Sequence, residues 1–248
     1  MCLILFAVRP GADMPLVVAA NRDEFYARPA EAAHFWADHA QVLAGRDEEA
    51  GGTWLGVTRT GRFAAVTNFS DPSDNAPLSR GALVADFLTG GDTASAYAHH
   101  LDTPRYRGFN LLLWDGHEMV YTSNKAPTQA LEPGYYGLSN AELGATWPKA
   151  EAGKAALEKI IEHGPEPDDL IRTLRDETLA PDAELPKRGR PLELERRIAP
   201  CFIRGDEYGT RASTAVIFNS GQALFSEQLY GPAGAVGGRT DFDFELEV

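Results

Sequence analysis

Apolar residues in this chain fall in short blocks separated by turn-forming residues, and the spacing within each block predicts an element. Leu3 to Val8 is a continuous apolar run, the pattern of a strand buried on both faces, and Arg9 to Pro15 reads as the turn that ends it. Leu16 to Ala20 is a second buried strand. Thr53 to Val57 and Arg62 to Phe69 form a hairpin around Thr60-Gly61. Phe109 to Trp114 and Glu118 to Ser123 form another around Asp115-Gly116-His117. Tyr135 to Ser139 is a further short strand. Ala212 to Phe218 and Ala223 to Tyr230 flank a turn at Asn219-Ser220-Gly221-Gln222, and Phe242, Phe244 and Leu246 alternate with acidic residues as a half-exposed edge strand.

Helical spacing takes over between these blocks. Ser79 caps a helix through Leu88, ended by Gly90-Gly91, and Thr93 caps another through Leu101. Pro148 opens a helix that runs to His163. Asp168 to Thr178 places Leu170, Ile171 and Leu174 at helical spacing with acidic residues at its start, and Leu192 to Ile198 is a short amphipathic helix. Strands come in hairpins and helices in blocks, with no linker and no internal repeat. The pattern is α+β with antiparallel sheets in a single domain over residues 1–248.

Charge narrows the function. Lys and Arg total 23 against 36 Asp and Glu, a net charge of −13, which argues against a nucleic-acid binder and against attraction to anionic membranes. No apolar run approaches the roughly 20 residues of a spanning helix. The N-terminal run lacks a basic start and a cleavage site, so the expectation is a cytoplasmic chain with free thiols. Two cysteines are too few for a disulfide scaffold or a thiolate zinc site, the six histidines form no HExxH, and no phosphate-binding glycine loop is present. No metal or cofactor is therefore expected. Asp47-Glu48-Glu49 and Asp168-Asp169 read as solvated charge. Lys187, Arg188, Arg190, Arg196 and Arg197 form a basic run, either a solvated face or a docking site for an anion.

Cys2 is the candidate nucleophile. If Met1 is removed, its thiol and a free α-amine sit on one residue, and an α-amine with a pKa of about 7.7–8.0 is a usable base. The bland alternative is a small buried residue opening a core strand. Asn21-Arg22-Asp23-Glu24 follows the second buried strand, either as a capping turn or as side chains delivered to a site. Antiparallel pairing of the first two strands brings that segment to Cys2.

Met1-Cys2-Leu3-Ile4, Ala20-Asn21-Arg22-Asp23-Glu24 and Gly51-Gly52-Thr53-Trp54-Leu55-Gly56, with Val66-Thr67-Asn68-Phe69 and Tyr208-Gly209-Thr210-Arg211, strongly resemble the NRDE-motif family, the homologues of transport and Golgi organisation protein 2. That family in turn resembles the N-terminal-nucleophile hydrolases of the choloylglycine hydrolase and penicillin V acylase type. The resemblance implies a four-layer αββα sandwich of two antiparallel sheets, and attack of an N-terminal cysteine on an amide carbonyl through a thioester. It implies Cys2 as nucleophile, and Arg22 and Asp23 as the groups that hold amine and thiol, although the hydrolases separate that pair and this chain joins it. Asn140 resembles the strand-end asparagine of the acylases, Asn68 an oxyanion donor, and Arg211 a late arginine; Asn21 and Glu24 complete the motif. The same resemblance implies roles in lipid and haem handling and in Golgi organisation. A second expectation is therefore a non-catalytic protein holding haem or an acyl-CoA. Exposed edge strands leave room for a homodimer.

Overall fold

The continuous apolar runs are explained by two cores, one on each face of the same strands. In β1 (Cys2–Val8) and β2 (Leu16–Phe25), Ile4, Phe6, Val8, Leu16, Val18 and Ala20 enter a core between two sheets. Their neighbours Leu3, Leu5, Ala7, Val17 and Ala19 enter a second core against helices. The computed structural model describes residues 2–9, 12–69, 76–186 and 190–247.

Chain order continues with β3 (Ala30–Phe35), β4 (Val42–Asp47), β5 (Leu55–Thr58), β6 (Phe63–Asn68), α1 (Gly81–Thr89), α2 (Ala94–His100), β7 (Phe109–Trp114) and β8 (Met119–Ser123). After these come β9 (Gln129–Ala130), β10 (Gly134–Leu138), α3 (Pro148–Glu162), α4 (Pro167–Thr173), α5 (Leu192–Ile198), β11 (Tyr208–Asn219), β12 (Gln222–Tyr230) and β13 (Val236–Glu245). One sheet runs β10-β1-β2-β11-β12-β13 and the other β3 through β9 in sequence order, with every strand pair antiparallel. The sheets pack face to face. Helices α1 and α2 cover the second sheet through Leu83, Val84, Phe87 and Ala94, and α3 and α4 cover the first through Leu157, Ile161, Leu170 and Ile171. This is the αββα sandwich that the resemblance implies.

Several elements differ from expectation. β2 continues through Phe25, because Asn21, Arg22 and Asp23 are buried between β1 and β11 and find polar partners there. β11 begins at Tyr208, four residues early, and carries a bulge between Thr210 and Ala212. α4 stops at Thr173, because the chain beyond it turns to the 201–203 segment, where Asp176 O accepts the Phe202 N–H at 2.8 Å. β3 and β4 had no clear signal; their alanines and polar residues become strands through pairing. Of the basic run, Lys187 and Arg188 lie outside the described residues, and Arg196 is paired with Asp182 at 2.6 Å and Glu193 at 3.0 Å. Among the described residues no helix is long and apolar enough to cross a membrane, and no group of three or more His, Cys, Asp or Glu could hold a metal.

One carboxylate ties the sheets together. Glu227 of β12 is buried and accepts the Ala33 N–H of β3 at 2.7 Å. Burial pushes its carboxyl up to about 6 from 4.5, against the opposing pull of the Ala33 N–H and Arg22. The folded state therefore holds this proton more tightly than the unfolded chain. The resulting stabilisation is complete below about pH 4.5 and is lost as the pH rises through 6. Glu227→Gln, which keeps an acceptor for Ala33, is expected to stabilise the protein at pH 7 by at most about 2 kcal/mol and to have no effect below pH 4.5, measured by urea denaturation across pH.

Candidate functional site

Pairing of β1 with β2 sets Cys2 directly opposite Arg22, so both side chains stand on the face that looks toward the second sheet. The Cys2 backbone N–H donates to Asn140 Oδ1 at 3.3 Å. That amide cannot turn over freely, because its Nδ2 donates to the Asn68 carbonyl at 2.6 Å. The segment carrying Asn140 is itself pinned. Ser139 Oγ donates to Cys2 O at 2.9 Å, Thr67 Oγ1 to Ser139 O at 2.6 Å, and Asn110 Nδ2 to Ala141 O at 2.9 Å. The Cys2 nitrogen thus has an oriented acceptor supplied from the end of β10. Burial pushes the Cys2 thiol up, while a hydrogen bond from the Asp23 backbone and the Arg22 charge pull it down.

Adjacent residues of a strand face opposite ways, so Arg22 and Asp23 reach Cys2 by different means. Asp23 offers its backbone N–H to the sulfur, while its carboxylate accepts from Thr210 Oγ1 at 2.7 Å and feels the Lys149 charge; burial raises that carboxyl above the usual range. Asn21 turns the same way. Its Nδ2 donates to Leu174 O and Cys201 O, each at 2.9 Å, and its Oδ1 accepts from Ser213 Oγ at 2.6 Å. Arg22 lies on the other face, stacked 3.8 Å from the Trp54 ring centroid with Nη2 3.4 Å from Asp47 Oδ2. Glu24 Oε1 accepts the Phe25 N–H at 2.9 Å.

Asp47, read from sequence as solvated, is buried at the centre of this arrangement. It takes a bidentate pair from Arg28 at 2.7 and 3.0 Å, the Arg22 contact, and the Ala50 N–H at 2.9 Å. Its position as the last residue of a strand was the missing signal. These groups line a cleft of about 340 Å³ that also contains Asn68, Arg80 and Arg107. Sequence reasoning passed over Arg80 and Arg107. Arg211 sits in a neighbouring pocket with Arg22 and Trp54, where its Nη1 donates to the Phe25 carbonyl at 3.2 Å and to the Arg28 carbonyl. Cys201 is buried, donates to Leu174 O at 3.3 Å, and has its thiol pushed up by burial to about 12, so it is inert.

Gly52 explains part of the Gly-Gly-Thr-Trp stretch. A Cβ there would lie 2.4 Å from the Gly81 carbonyl carbon, at the start of α1. Gly52→Ala is expected to force that helix start outward and cost about 1–3 kcal/mol, measured by thermal denaturation.

A family model described as Transport and Golgi organisation 2 matches residues 1–231. The chain belongs to this family. Among members of the transport and Golgi organisation 2 family, the Bos taurus homolog is 38% identical over 257 residues, with 92% of each chain covered. The Homo sapiens homolog is 35% identical over 257 residues, again with 92% of each covered. A solved mutant of the conjugated bile acid hydrolase from Clostridium perfringens superposes with a TM-score of 0.56 at 9% identity, covering 98% of this chain and 92% of that one. At that identity the likeness is one of fold, and it joins this family to the N-terminal-nucleophile hydrolase architecture.

Proposed function

We propose that this chain is an N-terminal-cysteine amidohydrolase acting on small acyl amides. The observation that carries the reading is the Cys2 nitrogen, aimed at Asn140 Oδ1 beside a cleft floored by Cys2 and Arg22. Removal of Met1, which lies outside the described residues, turns that nitrogen into a free amine without moving its acceptor. The amine takes the thiol proton and Sγ attacks the amide carbonyl carbon. The C–N bond then breaks as the amine returns the proton to the leaving nitrogen, which leaves a thioester. Water, deprotonated by the same amine, cleaves the thioester and frees the acid. Asn140 orients the amine. Asn68, in the same cleft, is the side-chain donor for the oxyanion, a role worth roughly 2.7–4 kcal/mol in other hydrolases. Arg22 and the Asp23 N–H favour the thiolate.

The test has two stages. Intact mass spectrometry is expected to show loss of Met1, and acid-quenched protein mixed with an activated acyl amide is expected to gain one acyl mass on Cys2. A retained methionine, or no adduct on a processed chain, would overturn the reading. The second reading, a holder of haem or acyl-CoA in keeping with the transport in the relatives' name, would then be the one to pursue by ligand titration. Among the described residues lining the cleft, Cys2 is the one side chain of a type that serves as an axial haem ligand, which gives that titration its control variant.

A further inference from the structure

Besides Arg22 and Arg28, the cleft holds two further arginines that the chemistry above does not use. Arg80, at the start of α1, is half-buried; Arg107 lies on the segment leading into β7. The segments that carry them are stitched together. The Leu78 N–H donates to Arg105 O at 3.2 Å, and Arg80 Nη1 donates to Gly108 O at 3.3 Å. Asn124 fixes the second segment through Nδ2 contacts to the Tyr106 and Arg107 carbonyls at 3.0 and 3.3 Å. The Arg80 guanidinium and the backbone that carries Arg107 are thereby held at one end of the cleft.

Ion pairing separates them from the cleft's other cations. Arg22 and Arg28 share Asp47, and Arg28 also meets Glu49 at 3.0 Å. Among the described residues no carboxylate lies within 4.0 Å of Arg80 or Arg107. Burial and the Arg107 charge both push the Arg80 guanidinium below its ordinary value, and the Cys2 site lies close enough to act on it. Of the cleft's carboxylates, Asp47 and Glu49 are taken up by Arg22 and Arg28. In a chain of net charge −13, two arginines at one end of the cleft, neither ion-paired to a carboxylate of a described residue, are an electrostatic cost that a bound anion would offset.

We infer that Arg80 and Arg107 form an anion subsite of the cleft, so that molecules taken there carry a carboxylate or a phosphate beside the group presented to Cys2. The statement about substrates rests on the amidohydrolase reading; the subsite itself does not. Both anions offer the paired oxygens that a guanidinium fork binds.

Alkylation of Cys2 by anionic iodoacetate and by neutral iodoacetamide, followed by peptide mass spectrometry, reads the subsite directly. The iodoacetate-to-iodoacetamide rate ratio is expected to exceed that of a model thiol by about tenfold. It should fall to the model value in Arg80→Met and in Arg107→Met, the second being an exposed position whose loss leaves the fold intact. A ratio equal to that of the model thiol in the native protein would overturn the subsite even where Cys2 is reactive. Calorimetric titration with inorganic phosphate and with succinate is independent of Cys2 chemistry. Binding of either that is lost in Arg107→Met supports the subsite, including on a chain whose Cys2 resists both reagents, in which case the amidohydrolase reading alone falls. Whichever anion binds more tightly identifies the source, and binding of neither overturns the subsite.

Discussion

Cys2→Ala is expected to lower amide hydrolysis by about 10⁶-fold, the scale of loss when a hydrolase is stripped of its nucleophile. The loss should fall on kcat, because the cleft walls formed by Arg22, Asp47 and Trp54 are untouched and substrate binding survives. Cys2→Ser keeps a nucleophile and the amine but loses the easily formed thiolate, so it should retain a trace of activity above alanine. Native activity should be low in acid and rise to a plateau as the pH passes the α-amine's pKa of about 7.7–8.0, because the base must be unprotonated. A preparation that retains Met1 should show neither activity nor that rise, and its Cys2, held high by burial, should alkylate more slowly than the processed form. Release of amine from a panel of N-acyl amides, measured across pH, checks all of these together.

Asp47→Ala is expected to destabilise the fold by about 3–5 kcal/mol, the cost of leaving buried charge without its partner. Two guanidinium groups, those of Arg22 and Arg28, lose the carboxylate between them, and the turn after β4 loses the acceptor of the Ala50 N–H. At about 2–4 °C per kcal/mol for a chain of this size, the melting temperature should fall by about 10 °C. Asp47→Asn should cost less, since it keeps an acceptor. Burial works against the charge on Asp47, but the Arg28 hydrogen bonds and the Ala50 N–H outweigh it and hold the carboxyl below its ordinary value. The stabilisation is therefore present above pH 3.8 and is lost as the pH falls through the lower, folded-state value, so native and Asn variants should converge in acid. Urea denaturation at neutral pH and near pH 3 measures the difference.

The legible parts of this sequence were those where burial leaves a one-dimensional trace. Leu3 to Val8 and Leu16 to Ala20 are apolar without interruption because each has a core on both faces, and the turns at Gly61 and Gly116 carry φ of +78° and +97°, which glycine supplies at no cost. Cys2 and the Asn21-Arg22-Asp23-Glu24 segment were legible as neighbours because antiparallel pairing of two readable strands joins their ends; which of the four stands opposite Cys2 is set by the register, and it is Arg22. Asp47 was not, since a buried aspartate in an acidic stretch looks like its solvated neighbours until the partners of Arg28 are known. Nor were Arg80 and Arg107, which lie on different segments and meet through the Leu78 to Arg105 and Arg80 to Gly108 hydrogen bonds. Asn140 was found through resemblance alone; the sequence could not say that its carbonyl oxygen, rather than its NH₂, faces Cys2.

The alternation within Asn21-Arg22-Asp23 makes this short motif a rivet driven through the first sheet. Its Arg22 head lies in the cleft, while Asn21 and Asp23 are clinched on the far side by Leu174, Cys201, Ser213 and Thr210. The Asp23 peptide that touches the sulfur is held from both ends of that rivet. Residues on the helix-facing side of the first sheet, away from the cleft, therefore belong to the nucleophile's mounting. A substitution at Thr210 or Ser213 that loosens the far side would detune the thiol while leaving every wall of the cleft in place.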